Sequence, residues 1–345
     1  MKHLVFGLFL FAFLQAEPAS ASSLQAGDAA RLGFDPAGLS ALDARLQAEI
    51  DRGGFPGAVL LIAREGRIAH LSTLGRRTPD GAPMGADSLF RIYSMTKPIV
   101  SVAALALVEQ GKLDLDQPLG DLIPAYATTR VATGALDANG APETVAADRP
   151  ITIRDLMRHT SGLTYGFFGQ GVVREAYRKA AADSAGLSNV AAASHLASLP
   201  LEHQPGTTWE YSRATDVLGA VIEIAAGAPL ADVLDALVFT PLGMDDTVFT
   251  VSDPAEHPRI AEPYPDDRIG RHPLFDPREE RAQKSGGGGL MSTVHDYARF
   301  TQMLLNGGEL DGVRVLQADT DATMTRHHTP PDRLKHVQLY VPALG

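Results

Sequence analysis

The sequence contains no cysteine, which excludes disulfides, thiolate nucleophiles and zinc sites built on cysteine. Basic residues are also scarce, with 30 Lys and Arg against 41 Asp and Glu and a formal net charge of −11. Because the acidic residues are spread along the chain, we expect no nucleic acid partner. The motifs H-E-x-x-H, G-x-S-x-G and the phosphate loop are missing. A zinc enzyme, an α/β-hydrolase and a nucleotide-binding loop are therefore not indicated.

Segments that look transmembrane are missing too, and the apolar run at the beginning of the chain has another explanation. There, Lys2 and His3 precede the apolar residues 4–14 and the small residues 19–21, an order typical of an export signal. The apolar run is too short to span a bilayer. We therefore expect residues 1–21 to be a signal peptide, and the protein to be periplasmic or secreted with no membrane span after signal removal. A buried N-terminal helix is the alternative interpretation.

The remaining pattern predicts one α/β domain over residues 22–345. Asp35 and Pro36, followed by leucines at helical spacing, indicate a first helix up to Gly53. Residues 57–63 and 68–74 flank a short turn and indicate a β-hairpin. Further helices are predicted at 94–110, 152–158, 173–182, 214–226, 229–238 and 294–305, and loops at 124–150 and 251–289. After residue 310 only 314–316 and 336–341 look like strands.

The strongest chemical signal is the pair Ser94 and Lys97, where a strand-like segment gives way to an apolar helix. Three residues apart on a helix, the hydroxyl and the amine lie on one face, within reach of a hydrogen bond. Pro98 agrees with a helix that begins at or just before Ser94. This position gives Ser94 the positive end of a helix dipole and an amide that can face an oxyanion. A serine becomes a nucleophile when a base takes its proton, and Lys97 has the position for that role.

A second signal is Tyr211, which follows the turn Gln204-Pro205-Gly206 and lies two residues after Trp209. The turn predicts that a loop presents this tyrosine. A phenol beside cations can act as base or acid toward Ser94, whereas a tyrosine near tryptophan in isolation is more often a packing residue.

Together these residues resemble the serine β-lactamase and penicillin-binding-protein superfamily, and most of all the class C-like carboxylesterases of family VIII. The S-x-x-K element is Ser94-Met95-Thr96-Lys97. Ordered matches follow at residues 156–163, 204–212, 241–244 and 286–293. The resemblance implies that Ser94 is the acylated nucleophile, Lys97 its base and Tyr211 a second general acid/base. No cofactor is required, and the implied partner is a small ester or related acyl substrate.

The resemblance also implies the fold. We expect an α/β (α+β) fold of the β-lactamase type, in which helices flank an antiparallel sheet and a large helical insertion interrupts it. Members of the superfamily carry a third element, K-T-G, W-G-G or H-x-G, on a later strand that supplies a second oxyanion amide. No such element follows residue 310, so we expect a chain shortened at its C-terminal end, with strands missing.

One substitution separates possible activities. The β-lactamases carry asparagine two residues after the tyrosine, where this chain has Arg213, which favours an esterase. A β-lactamase or D-alanyl peptidase, and a non-catalytic protein that binds acylated ligands, are kept as alternatives. The resemblance places His159 in a structural turn, and residues 286–289 are expected to form a tight bend near the pocket.

Overall fold

The computed structural model of the protein describes residues 24–184, 186–265, 268–269 and 272–328. The export signal predicted for residues 1–21 and the strand-like residues 336–341 lie outside this part of the chain.

The described part consists of short strands and of helices of very different lengths. The helices are α1 (Pro36–Asp51), α2 (Thr96–Glu109), α3 (Leu119–Leu122), α4 (Ile153–Met157), α5 (Val172–Asp183), α6 (Asn189–Leu196), α7 (Ala214–Ala226), α8 (Leu230–Leu234), α9 (Thr240–Leu242), α10 (Val294–Leu305) and α11 (Ala318–Met324). The strands are β1 (Gln25–Ala26), β2 (Gly57–Arg64), β3 (Arg67–Gly75), β4 (Phe90–Arg91), β5 (Arg130–Leu136), β6 (Pro142–Ala146), β7 (Arg268–Ile269), β8 (His272–Pro273), β9 (Met291–Ser292), β10 (Glu309–Leu310) and β11 (Val313–Arg314). Tyr93–Met95, Pro124–Tyr126 and His257–Arg259 form 3₁₀ turns, and Asp235–Phe239 forms a π-helical turn.

The first helix confirms the sequence prediction. The Asp35 carboxylate caps α1 by accepting hydrogen bonds from the backbone N–H groups of Ala37 and Gly38 at 3.0 and 3.1 Å. These bonds satisfy amides that have no partner inside the helix. The chain leaves the helix through Gly53, whose φ of 79° favours glycine.

The predicted β-hairpin is also present. β2 and β3 pair antiparallel with Gly57 opposite Gly75, and a bulge lies between Ile62 and Ala63. β1 adds a third strand, parallel to β3, so that the sheet order is β1-β3-β2. The carboxylate of Asp43 on α1 accepts hydrogen bonds from His70 and Ser72 on β3, which ties this helix to the sheet.

The hydrophobic core is built around α2 and α7. Ten of the 14 residues of α2 are buried, and in α7 the whole stretch 214–222 is buried. Helices that are apolar on all sides belong to the interior of a domain. Since α2 is enclosed by its neighbours, the turn at its N-terminus is held in a fixed place.

Within the described residues no single helix has the length and composition to cross a bilayer, and Ala214–Ala226 with Leu230–Leu242 qualify only as a pair bent by 80°.

The sequence-based map was wrong in its two long loops and incomplete elsewhere. Residues 251–289 were predicted as a loop, but they contain the short antiparallel pair of β7 and β8. Residues 124–150 were predicted as a loop, but they contain the antiparallel hairpin of β5 and β6. Most of β5 beyond Ala132 is exposed, so the hairpin lacks the alternation of apolar and polar residues that marks a half-buried strand. The helices α3, α6, α9 and α11 were not predicted, because none is longer than eight residues and short segments carry little periodicity.

Candidate active site

Ser94 lies in the 3₁₀ turn Tyr93–Met95, directly before α2. Tyr93 has a φ of 42°, a left-handed conformation that is uncommon for a bulky residue and is found at functional sites. The turn is fastened on its other side, because Tyr297 donates a hydrogen bond to the Met95 carbonyl at 3.1 Å. The fold therefore exposes the Ser94 hydroxyl at the N-terminal end of a buried helix.

Lys97 is one helical turn further on and is almost entirely buried, with 9% of its surface exposed. Its Nζ lies 3.0 Å from Ser94 Oγ and 2.5 Å from the carbonyl oxygen of Gly287. The amine also lies over the ring of Tyr211, 4.7 Å from the centroid. The Ser94–Lys97 contact expected from the spacing is thus present, and the Gly287 carbonyl holds the amine against the serine.

Tyr211 completes the group, because its hydroxyl donates a hydrogen bond to Ser94 Oγ at 2.5 Å. It is presented from an irregular segment before α7, as predicted. Trp209 stacks nearly parallel to its ring at 6.2 Å, and the Glu210 amide donates to the His159 carbonyl at 2.9 Å. The structure therefore brings together the three residues proposed from the sequence.

The glycine-rich segment passes close to the beginning of α7. A Cβ at Gly286 would lie 2.5 Å from the Thr215 carbonyl oxygen, and a Cβ at Gly287 would lie 3.0 Å from the Asp216 carboxylate. Side chains at these positions would push the segment away from Lys97. The tight bend expected for residues 286–289 is thus found at the pocket, and close approach explains its glycines.

Asp216 on α7 fixes this segment in place. Its Oδ1 accepts hydrogen bonds from Ser285 Oγ at 2.5 Å and from the Gly287 amide at 3.1 Å. The carboxylate thereby orients the same peptide segment whose carbonyl binds Lys97. Sequence reasoning missed Asp216, and the one available signal was its i+3 spacing from Arg213.

His159 contributes packing rather than a contact with the nucleophile. It follows α4 with a φ of 55°, and its ring lies 4.9 Å from that of Tyr211. Burial, together with the electrostatic effect of neighbouring Lys97, lowers the pKa of His159 to about 3, so the imidazole is neutral at physiological pH. Its Nδ1 lies 3.3 Å from Ser212 Oγ, and these contacts agree with the structural role expected for this histidine.

The cleft in front of Ser94 has a volume of about 390 Å³ and is bounded largely by aromatic rings. Tyr165, Phe167 and Phe168 form one wall with Tyr211. Sequence reasoning missed this wall, although three aromatic residues within four positions stand out in a chain with 6% aromatic residues. The aromatic lining can accommodate the carbon skeleton of a carbonyl compound.

Arg213 lies in the same cleft, two residues after the tyrosine. Its Nε is 3.2 Å from Asp216 Oδ2, so the guanidinium is held by an ion pair. The position at which a β-lactamase would offer an amide side chain is therefore occupied by a charged group.

A family model described as Beta-lactamase matches residues 42–338. Esterase EstB of Burkholderia gladioli is 39% identical over 303 residues, which cover 80% of this chain and 73% of EstB. Protein Rv1367c of Mycobacterium tuberculosis is 39% identical over 308 residues, which cover 87% of this chain and 74% of Rv1367c. The solved structure of EstCE1, a hydrolase with promiscuous acyltransferase activity, matches with a TM-score of 0.66 at 30% identity and covers 82% of this chain and 76% of EstCE1.

Proposed function

Because this chain belongs to the beta-lactamase family, we propose that it hydrolyses small carboxylic esters through an acyl-enzyme formed on Ser94. Similarity to EstB and EstCE1 identifies it as a serine hydrolase of the esterase type. The assignment of the nucleophile is supported above all by one observation. The amine of Lys97 and the hydroxyl of Tyr211 converge on Ser94 Oγ, at 3.0 and 2.5 Å.

The geometry supports a two-stage reaction. Ser94 Oγ attacks the ester carbonyl while Lys97 and Tyr211 take up the serine proton, and the carbonyl oxygen becomes an oxyanion. The Ser94 amide, at the N-terminal end of α2, is placed to stabilise this negative charge. When the tetrahedral intermediate collapses, Tyr211 gives a proton to the leaving alcohol. Water then attacks the acyl carbonyl while Lys97 and Tyr211 take up one of its protons. The bond between the acyl group and Ser94 Oγ breaks, the carboxylic acid leaves, and this proton is passed to Ser94 Oγ.

Covalent labelling tests the nucleophile. We expect a fluorophosphonate to form one adduct per chain, mapped by mass spectrometry to the peptide that contains Ser94, because Lys97 and Tyr211 both lie beside this hydroxyl. Ser94→Ala is expected to lose both the adduct and the turnover of p-nitrophenyl butyrate. Ser101→Ala, which changes a serine two turns further along α2, is the matched control. Labelling that persists in Ser94→Ala would remove the proposed mechanism, and binding without labelling would favour the non-catalytic alternative.

A substrate comparison separates the esterase from a β-lactamase. We expect kcat/KM for p-nitrophenyl butyrate to exceed that for nitrocefin by about tenfold or more, because Arg213, held by Asp216, replaces the amide side chain that would recognise an acylamido group. Both rates are read by absorbance on the same preparation. Equal rates, or faster nitrocefin hydrolysis, would reverse the ranking.

A further inference from the structure

The cleft carries positive charge, although the protein as a whole is strongly acidic. Among the described residues its lining includes Arg213, Arg281 and Lys284 but a single carboxylate, Asp216, whereas the chain has a net charge of −11. A cleft with an excess of positive charge attracts negatively charged substrates. We propose that the substrate is an ester whose acyl chain ends in a carboxylate, and that Arg281 binds this carboxylate. This inference rests on the proposed function, since it concerns the substrate attacked by Ser94.

Two of the three cations already have partners. Arg213 is paired with Asp216. Lys284 contacts the Glu280 carboxylate and lies 3.3 Å from Thr250 Oγ1. A substrate carboxylate would have to compete with these bonds, so neither side chain is the best receptor for it.

Arg281 differs from both. In the described part of the chain no hydrogen bond or ion pair involves its guanidinium, which lies over the ring of Phe275 at 4.9 Å from the centroid. A guanidinium stacked on an aromatic face keeps the N–H groups along its edge free, and that edge matches a carboxylate with two parallel hydrogen bonds. Binding an anion there displaces no existing partner.

The contacts in the cleft indicate that the carboxylate belongs to the acyl part of the ester and not to the alcohol part. In the proposed mechanism Tyr211 protonates the leaving alcohol, so the alcohol lies toward the wall that Tyr211 shares with Tyr165. The acyl chain is then left to the other aromatic group, in which Phe275 meets Tyr93 edge to face at 5.5 Å. Arg281 stacks on Phe275, and both line the cleft that contains Ser94, so the guanidinium belongs to the side of the cleft that is left to the acyl chain.

The test compares two esters that differ only in charge. p-Nitrophenyl hydrogen adipate and p-nitrophenyl hexanoate have acyl chains of equal length, with and without a terminal carboxylate. We expect wild-type protein to prefer the adipate at low ionic strength, and we expect salt to reduce this preference. In Arg281→Gln the ratio of the two kcat/KM values is expected to fall about tenfold, chiefly through KM, as for loss of a charge-assisted hydrogen bond.

Arg45→Gln is the control, because it removes one positive charge from an exposed position on α1 and should leave the ratio unchanged. Direct binding gives a second readout. Trp209, the single tryptophan, stacks on Tyr211, so its quenching reports binding of each ester to Ser94→Ala, with and without Arg281→Gln.

The outcomes are separable. If both esters are hydrolysed but their ratio is the same in Arg281→Gln, the carboxylate site is refuted and the proposed function stands. If neither ester is hydrolysed, the proposed function fails, and the binding measurement alone decides the site. Equal quenching of Trp209 by the adipate and the hexanoate would then refute the carboxylate site at Arg281.

Discussion

Replacing Lys97 by methionine is expected to lower kcat for p-nitrophenyl butyrate about a thousandfold, the middle of the range for loss of a general base. Methionine fills a similar volume in the buried site but cannot accept a proton. The Lys97 amine contacts both Ser94 Oγ and the Gly287 carbonyl, and methionine can form neither hydrogen bond. Steady-state kinetics, with the melting temperature measured on the same sample, separate lost chemistry from lost folding.

The matched control is Lys112→Met, which alters an exposed lysine just after α2 and is expected to leave kcat unchanged. The rate of fluorophosphonate labelling at Ser94 should fall in parallel with kcat in Lys97→Met, because both need a deprotonated hydroxyl. If Lys97→Met keeps more than about a tenth of the wild-type kcat, then Tyr211 is sufficient as the base.

The sequence was informative where the chemistry is local. Ser94 and Lys97 are one helical turn apart, so their contact follows from helix geometry alone once α2 is recognised. Tyr211 needed the resemblance, because it comes from a segment 117 residues away. Asp216 could not be predicted, because its role depends on a segment 71 residues later passing against the start of α7.

In the fold, too, elements defined by neighbouring residues could be predicted, and those defined by distant contacts could not. The β2–β3 hairpin and α1 were recognised from turn residues and from spacing within a few positions. The parallel pairing of β1 with β3 joins residues about 40 positions apart through a strand of two residues, Gln25–Ala26. Such a strand has no periodicity to detect, and tertiary packing alone determines where it lies.

Replacing Asp155 by asparagine is expected to lower the free energy of unfolding by about 3 kcal/mol, the cost of removing one partner from a buried ion pair. Asp155 on α4 is fully buried. Its carboxylate accepts hydrogen bonds from Arg149 and Arg158 at 2.7 to 3.0 Å, and from the Thr152 amide and the Thr160 hydroxyl. Asparagine keeps the size but removes the negative charge, so both guanidinium groups lose their counterion. Urea unfolding at pH 7 measures the difference.

The pH dependence of the difference in unfolding free energy between wild type and Asp155→Asn distinguishes the loss of a buried ion pair from a simple loss of packing. Burial by itself would raise the pKa of this carboxyl, but the hydrogen bonds from Arg149, Thr152, Thr160 and Arg158 outweigh it and hold the pKa well below its usual range. A carboxyl with a lowered folded-state pKa stabilises the fold above its unfolded value of about 3.9 and loses that contribution as the pH falls toward the folded value. The difference in unfolding free energy between wild type and Asp155→Asn should therefore be constant from about pH 5 to 8 and should shrink below about pH 4.

Asp116→Asn is the control. It breaks the pair with Arg154 at a carboxylate that is 70% exposed, and it should lower the free energy of unfolding by less than about 1 kcal/mol. The prediction is wrong if the difference in unfolding free energy stays the same in acid, or if Asp116→Asn lowers that free energy as much as Asp155→Asn does. Either result would show that the charge of Asp155 is not what stabilises this part of the fold.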